Sequence, residues 1–308
     1  MLISALSIAG GVMLLLGLLL AAVLAIANKK LYVYEDPRID EVEAQLPSAN
    51  CGACGFAGCR AFAEAVIRGE AAPGQCTASS ADTVESIAAY LGVDAGVGEK
   101  RVARLACSGG DNVARRFAHY EGRYSCRAAS LVAGGGKHCT FGCIGYGDCV
   151  AVCPFDALHM NEHMLPVVDE AKCTACGNCV VECPKHLFSI HPISHQLWVS
   201  CSTRLRGKDA KAACAVACIG CGLCAKAAPE AVSMDGNLPV VDYGKNEFAV
   251  REAIENCPSG AILWVERDGR RVLGVKAAAA LEKVLNPPEA PLKKTSASEA
   301  EQKSEVSG

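Results

Sequence analysis

Twenty of the chain's 308 residues are cysteine. Thiols at that density leave two architectures, a disulfide-stapled scaffold or a metal protein. Compartment separates them, because thiols stay reduced in the cytoplasm and pair outside it. Leu2–Ala27 carries no charged residue, and Lys29-Lys30 follow closely. A run of this kind crosses a hydrocarbon core of roughly 30 Å as a helix. The positive-inside rule then puts the remainder of the chain in the cytoplasm. The rival is a cleaved signal peptide, since Ala25-Ile26-Ala27 has the small-x-small form. It lacks a basic leading segment, and its apolar stretch is too long. Reduced cytoplasmic thiols point to metal. A net charge of −3 predicts no general affinity for nucleic acid.

Spacing narrows the metal. Cys173-x2-Cys176-x2-Cys179-x3-Cys183-Pro184 is a bacterial ferredoxin run, in which three thiolates serve one cubane and the cysteine before proline serves a second. The partner run is Cys139-x3-Cys143-x5-Cys149-x3-Cys153-Pro154, with Tyr146 where a middle cysteine belongs. Cys139 is the natural replacement. The expected ligand sets are therefore Cys139, Cys143, Cys149 and Cys183 for one [4Fe–4S] cluster, and Cys153, Cys173, Cys176 and Cys179 for the other. Zinc also uses CxxC pairs, but three cysteines in a row followed by CP suit a cubane better.

An internal repeat supplies a further site. Cys139–Pro154 aligns without gaps with Cys214–Pro229, Leu158–Asp169 matches Val232–Asp242, and Cys183–Ile190 matches Cys257–Trp264. The second copy keeps Cys218, Cys221, Cys224 and Cys257, one complete set. Where its other cluster would sit, register places Ala228, Glu247, Val250 and Ala253. That copy is expected to be a single-cluster module. Upstream, Cys51-Gly-Ala-Cys54-Gly-Phe-Ala-Gly-Cys59 with Cys76 forms a fourth set, its glycines permitting close backbone approach. Four [4Fe–4S] clusters thus use sixteen of the twenty cysteines. Cys107, Cys126, Cys201 and Cys214 are left over; they read as buried apolar thiols, and the alternative, a fifth cluster, has no support in their spacing.

The fold class expected is α+β, in the order of a transmembrane anchor (1–28), a linker (29–48), a small helical four-cysteine domain (49–97) and a basic connecting segment (98–137). A two-cluster ferredoxin-like module (138–200), a single-cluster module (201–275) and a short helix with a disordered tail (276–308) follow. Asp235-Gly236 and Asp268-Gly269 are hairpin signals. Gly134-Gly135-Gly136-Lys137 lacks the spacing of a phosphate loop. With no nucleophile–base constellation, the chain is expected to move electrons and not to make or break substrate bonds.

Taken together, CGACGFAGC, the stretch CRAASLVAGGGKHCTFGCIGYGDCVAVCPFDAL and the following ferredoxin modules resemble the B subunit of Rnf-type ferredoxin:NAD oxidoreductase complexes over roughly Met1–Ile262. The related complex that reduces a redox-sensing transcription factor is similar. The resemblance implies an iron–sulfur relay between soluble ferredoxin and a membrane complex of flavin- and NAD-carrying and integral subunits, coupled to ion translocation. It implies a place in the bacterial inner membrane, in contact with lipid. The extra module Cys201–Val275 departs from shorter members. An iron–sulfur subunit of another membrane dehydrogenase or hydrogenase is the alternative.

The uncharged Leu2–Ala27 run and Lys29-Lys30 generate a topology prediction. Protease added to intact cells should leave the cysteine-rich region undigested, and the mature protein should keep its N-terminal helix. Digestion of that region, or a mature N-terminus at Asn28, would refute it.

Overall fold

The computed structural model describes residues 2–31, 35–96 and 98–286. The tail expected to be disordered lies, beyond Asn286, outside the described residues. The chain forms two compact units. The first comprises Met1–Asn50, Phe56–Pro73 and Ser79–Ala95; the second comprises Cys51–Gly55, Gly74–Ala78 and the chain from Gly96 onward. The architecture is α+β, as expected.

In the first unit, α1 (Leu2–Leu31) is uncharged until Lys29 and Lys30 in its last turn. Thirty residues of helix measure about 45 Å, and Gly10–Leu31 is long and apolar enough to cross a membrane. The expected linker instead contains α2 (Arg38–Gln45). Ile39, Val42 and Leu46 recur at helical spacing and are buried, which gives the segment an apolar stripe to pack. Its acidic residues are used locally: Arg60 of α3 (Cys59–Ile67) reaches Asp40 at 2.9 Å and Glu43 at 2.8 Å, and also pairs with Glu35. Phe62, Ala63, Ala65 and Val66 form the buried face of α3. The last helix, α4 (Ala81–Leu91), starts where the Ser80 hydroxyl accepts from the Thr83 amide and ends at Gly92 in the left-handed region.

The second unit carries the repeat. Its first copy runs β1 (Arg101–Leu105), α5 (Cys126–Ser130), α6 (Asp148–Ala151), β2 (Leu158–Met160), β3 (Pro166–Val168), α7 (Asn178–Glu182) and β4 (Phe188–Pro192). β2 and β3 form a hairpin, and β1 pairs antiparallel with β4, Leu105 opposite Phe188. The stretch 98–137 is therefore not a connector, because its first residues supply an edge of the module's sheet. Nor is all of it basic surface: Arg104 is 3% exposed, donates to the His195 carbonyl at 2.7 Å and lies 3.7 Å from Glu170.

The second copy repeats the plan with β5 (Leu197–Val199), α8 (Gly207–Ala213), α9 (Leu223–Ala227), β6 (Val232–Asp235), β7 (Leu238–Val241), α10 (Glu252–Glu255), β8 (Ile262–Val265), β9 (Arg271–Val272) and α11 (Val275–Leu285). β8 lies between β5 and β9. Val199 stands opposite Ile262, so β5 is to the second copy what β1 is to the first. Each module thus begins upstream of its cysteine run, earlier than residues 138 and 201. Both expected hairpins are present. Asp235 pairs with Leu238 across a two-residue turn in which Gly236 takes φ 62, and Gly269, at φ 83, turns β8 into β9.

An aromatic cluster ties the copies together. The His195 ring stacks on Tyr243 at 4.1 Å, and His191 meets both Trp198 and Tyr243 at 4.9 Å. Burial, reinforced by the charges of His195, Arg104 and Arg101, lowers the His191 pKa to about 4. Between that value and the ordinary 6.5 the unfolded chain binds a proton that the folded chain refuses. The contribution of neutral His191 is therefore complete above pH 6.5 and is lost as pH falls towards 4. Thermal unfolding of wild type and His191→Phe from pH 7 to 4.5 should show an extra loss of stability in wild type, approaching one proton's dependence. Parallel profiles would refute this.

Candidate metal centres

Short helices and tight turns bring the cysteines together. In the first copy, Gly177, in the left-handed region, starts α7 and aims its first turn at a cavity. Cys153, Cys173, Cys176 and Cys179 line that cavity with Phe155, Leu158 and Val168, and among the described residues no charged side chain joins them. The second copy builds the same site: Gly222, also left-handed, starts α9, and Cys218, Cys221, Cys224 and Cys257 line a cavity closed by Met234, Pro239 and Ile262. Each donor set consists of thiols alone in an apolar setting, which suits iron–sulfur clusters or zinc and not harder ions. Among the described residues, no three Cys, His, Asp or Glu side chains are drawn tightly enough around one point to hold a single ion.

The third cavity differs from the expected set. Cys143, Cys149 and Cys183 line it, but the fourth cysteine is Cys126 and not Cys139. The reason is local. Ser125 caps α5, its hydroxyl accepting from the Ala128 amide, and the Asp148 carboxylate accepts from the Cys126 and Arg127 amides and the Ser125 hydroxyl at 2.9–3.1 Å. This clamp seats the Cys126 sulfur against the backbone amides of Tyr146 and Gly147, at the place where a middle cysteine of the run would stand. The sequence carried a signal for it. Tyr146 leaves the run one ligand short, and Cys139 aligns with Cys214, which the complete second set does not need.

Burial pushes these thiols upward. The Cys149 and Cys179 pKa values rise to about 12 and that of Cys218 to about 11, desolvation being the largest cause in each and neighbouring cysteines adding to it. Without metal such groups are neutral, so loading them requires the metal to displace their protons. Cys149 senses the charges of both Cys183 and Cys179, so the two cavities of the first copy are electrostatic neighbours.

Of the upstream set, Cys51, Cys54 and Cys76 lie in loops of the second unit, and Cys59 opens α3 in the first. The Cys59 amide donates to the Asn50 side chain at 2.9 Å. Within the second unit, the Thr77 hydroxyl donates to the Thr174 carbonyl, and Cys176 senses the charge of Cys51.

Comparison with known proteins gives three matches to family models: a putative Fe–S cluster domain at residues 46–78, a 4Fe–4S dicluster domain at 138–187, and the 4Fe–4S single cluster domain of Ferredoxin I at 215–264. The chain is 40% identical over 253 residues to the B subunit of the Na+-translocating ferredoxin:NAD+ oxidoreductase complex of Acetobacterium woodii, a match that covers 82% of this chain and 76% of that protein. It is 41% identical to the B subunit of the proton-translocating ferredoxin:NAD+ oxidoreductase complex of Clostridium ljungdahlii, over 82% of this chain and 89% of that protein. It is 37% identical to the B subunit of the ion-translocating oxidoreductase complex of Methanosarcina acetivorans, over 80% of this chain and 94% of that protein.

Proposed function

Because the chain belongs to the B-subunit family of ion-translocating, Rnf-type ferredoxin:NAD oxidoreductase complexes, we propose that it relays electrons between soluble ferredoxin and the membrane subunits of such a complex. The observation that carries this reading is the coincidence of four-cysteine, apolar cavities with 4Fe–4S family matches on the same residues. The ligand sets are Cys153, Cys173, Cys176 and Cys179; Cys126, Cys143, Cys149 and Cys183; and Cys218, Cys221, Cys224 and Cys257. The upstream set, Cys51, Cys54, Cys59 and Cys76, rests on the matched Fe–S cluster model.

A [4Fe–4S] cluster in each set supplies one-electron chemistry; the chain's own residues set where the electron stops and what surrounds it. Apolar walls exclude water, and backbone amides directed at the sulfurs favour their anionic form. The anchor, α1, holds the chain at the inner membrane with its cysteine-rich region on the cytoplasmic face, a reading supported by Lys29 and Lys30 at its end. Flavin- and NAD-carrying subunits complete the path, and the complex as a whole couples it to ion movement.

Docking of acidic ferredoxin is assigned to exposed cations on the second module. Arg204 is held by Asp235 at 2.9 Å, whereas Arg206, Lys208 and Lys211 are exposed on and beside α8. Charge steering of this kind speeds encounter and weakens with salt. Electron transfer from reduced ferredoxin should slow several-fold as ionic strength rises, and Arg206→Ser with Lys208→Ser should reduce both the rate and its salt dependence. A rate indifferent to salt and substitution would place the dock elsewhere. Separately, Cys126→Ala in the anaerobically isolated chain should lower the iron content by about four per chain, and unchanged iron would return the ligand role to Cys139.

A further inference from the structure

Four cysteines remain outside these sets: Cys107, Cys139, Cys201 and Cys214. They come from distant parts of the chain, yet they meet. A Cβ on Gly109 would stand 3.3 Å from the Cys214 sulfur and 3.6 Å from that of Cys107. A Cβ on Gly142 would stand 3.4 Å from the Cys139 sulfur and 3.7 Å from that of Cys107. Cys214 lies within electrostatic reach of Cys107, Cys201 and Cys139 together. The two glycines leave room where side chains would crowd the sulfurs.

The repeat explains the meeting. Leu105 of β1 is opposite Phe188, and Val199 of β5 is opposite Ile262; Phe188 and Ile262 are equivalent in the repeat. Beyond each strand, the Ala106 amide donates to the Leu187 carbonyl and the Ser200 amide to the Ala261 carbonyl, both at 2.8 Å. Cys107 and Cys201 therefore hold the same position in their two copies. Cys139 and Cys214 are likewise equivalent. The sulfur contacts match too: the Cys143 amide donates to the Cys107 sulfur at 3.4 Å, and its equivalent, the Cys218 amide, donates to the Cys201 sulfur at 3.3 Å. Trp198 Nε1 donates to the Leu105 carbonyl at 3.0 Å and the Ser202 hydroxyl to the Ala106 carbonyl at 2.9 Å, clamping the two strand ends side by side.

The charge setting agrees. Lys137 is 1% exposed, donates to the Gly109 carbonyl at 2.9 Å and lies 3.5 Å from Asp111. Its ammonium acts electrostatically on Cys107 and Cys143. A buried cation beside a group of sulfurs is stabilised when those sulfurs are anionic. Amide donors at the Cys107 and Cys201 sulfurs act in the same direction.

We propose that Cys107, Cys139, Cys201 and Cys214 ligate a further [4Fe–4S] cluster at the junction of the two repeats, each repeat giving one strand-end cysteine and one cysteine from the start of its cysteine run. This site deepens the electron-relay reading and rests on it for its role. The Cys107 sulfur accepts a hydrogen bond from the amide of Cys143, a cysteine of the first copy's set, and the Cys201 sulfur accepts one from the amide of Cys218, of the second copy's set. A cluster held by these four cysteines would supply a one-electron stop between the modules: it would take one electron from a reduced cluster on one side and give it to an oxidised cluster on the other, each donor returning to its oxidised state with no bond or proton changing place.

The experiment is iron, zinc and acid-labile sulfide analysis of the full-length chain isolated anaerobically in detergent, with spin quantitation of the dithionite-reduced EPR spectrum. About twenty irons per chain are expected. Cys201→Ala and Cys139→Ala should each lose about four irons and one reduced-cluster spin, and the double variant should lose no more than either single one. Cys221→Ala should lose a different four, additively with Cys201→Ala. About sixteen irons in wild type, sixteen irons with one zinc, or Cys201→Ala with unchanged iron and spin count would overturn the proposal. If a variant loses far more than four irons through misfolding, the wild-type total decides: about twenty supports the junction cluster and about sixteen overturns it. Twenty irons in a chain that exchanges no electrons with ferredoxin would overturn the relay reading and leave the site standing.

Discussion

The second unit depends on the convergence of cysteine sulfurs from distant parts of the chain. Its helices α5, α6, α7, α9 and α10 have four or five residues each, and β2, β3 and β5 have three. Helices of that length do not persist alone in water, and isolated two-stranded hairpins are marginal. The apolar cores are correspondingly small, built in the first copy around Leu105, Leu158, Leu187 and Phe188 and in the second around Leu197, Ile254, Ile262 and Trp264. Cysteines belong to both cores. Metal ligation at such sulfurs would close long loops and couple directly to folding, the elements positioning the sulfurs and the ligated sulfurs holding the elements.

Electrostatics follows from the same convergence. Gathering thiols in apolar surroundings raises their pKa values, Cys201 and Cys214 to about 12 through desolvation. The cost of making them anionic is offset by backbone amides and by the buried Lys137 beside Cys107 and Cys143. Lys137 belongs to a glycine-rich stretch that lacks the phosphate-loop spacing. Its burial gives it a different place, hydrogen-bonded to the Gly109 carbonyl where the chain turns past Cys107.

Positions that departed from expectation share one cause. Spacing along the chain favours a ligand close in sequence, Cys139, for the site short of a cysteine at Tyr146. The folded chain instead brings in Cys126, because the Asp148 carboxylate draws the start of α5 across the run. The acidic linker became α2 because Ile39, Val42 and Leu46 give it a face to bury. The basic connector became β1 because its residues 101–105 find their partner 83 or more positions downstream, in β4.

By itself, the sequence determined the apolar N-terminal helix, the repeat, the two hairpins at Gly236 and Gly269, and the grouping of Cys153, Cys173, Cys176 and Cys179 and of Cys218, Cys221, Cys224 and Cys257 around one cavity each. These are legible because they depend on local spacing: a charge-free run, a left-handed turn, or three thiols within one short loop and a fourth fixed by the repeat. Only the tertiary structure decided that Cys126 joins Cys143, and that Cys107, Cys139, Cys201 and Cys214 meet. The pairing of β1 with β4 and of β5 with β8 is non-local. A strand register is fixed by packing and hydrogen bonding across the sheet, and no spacing along the chain records which two strand ends will lie side by side.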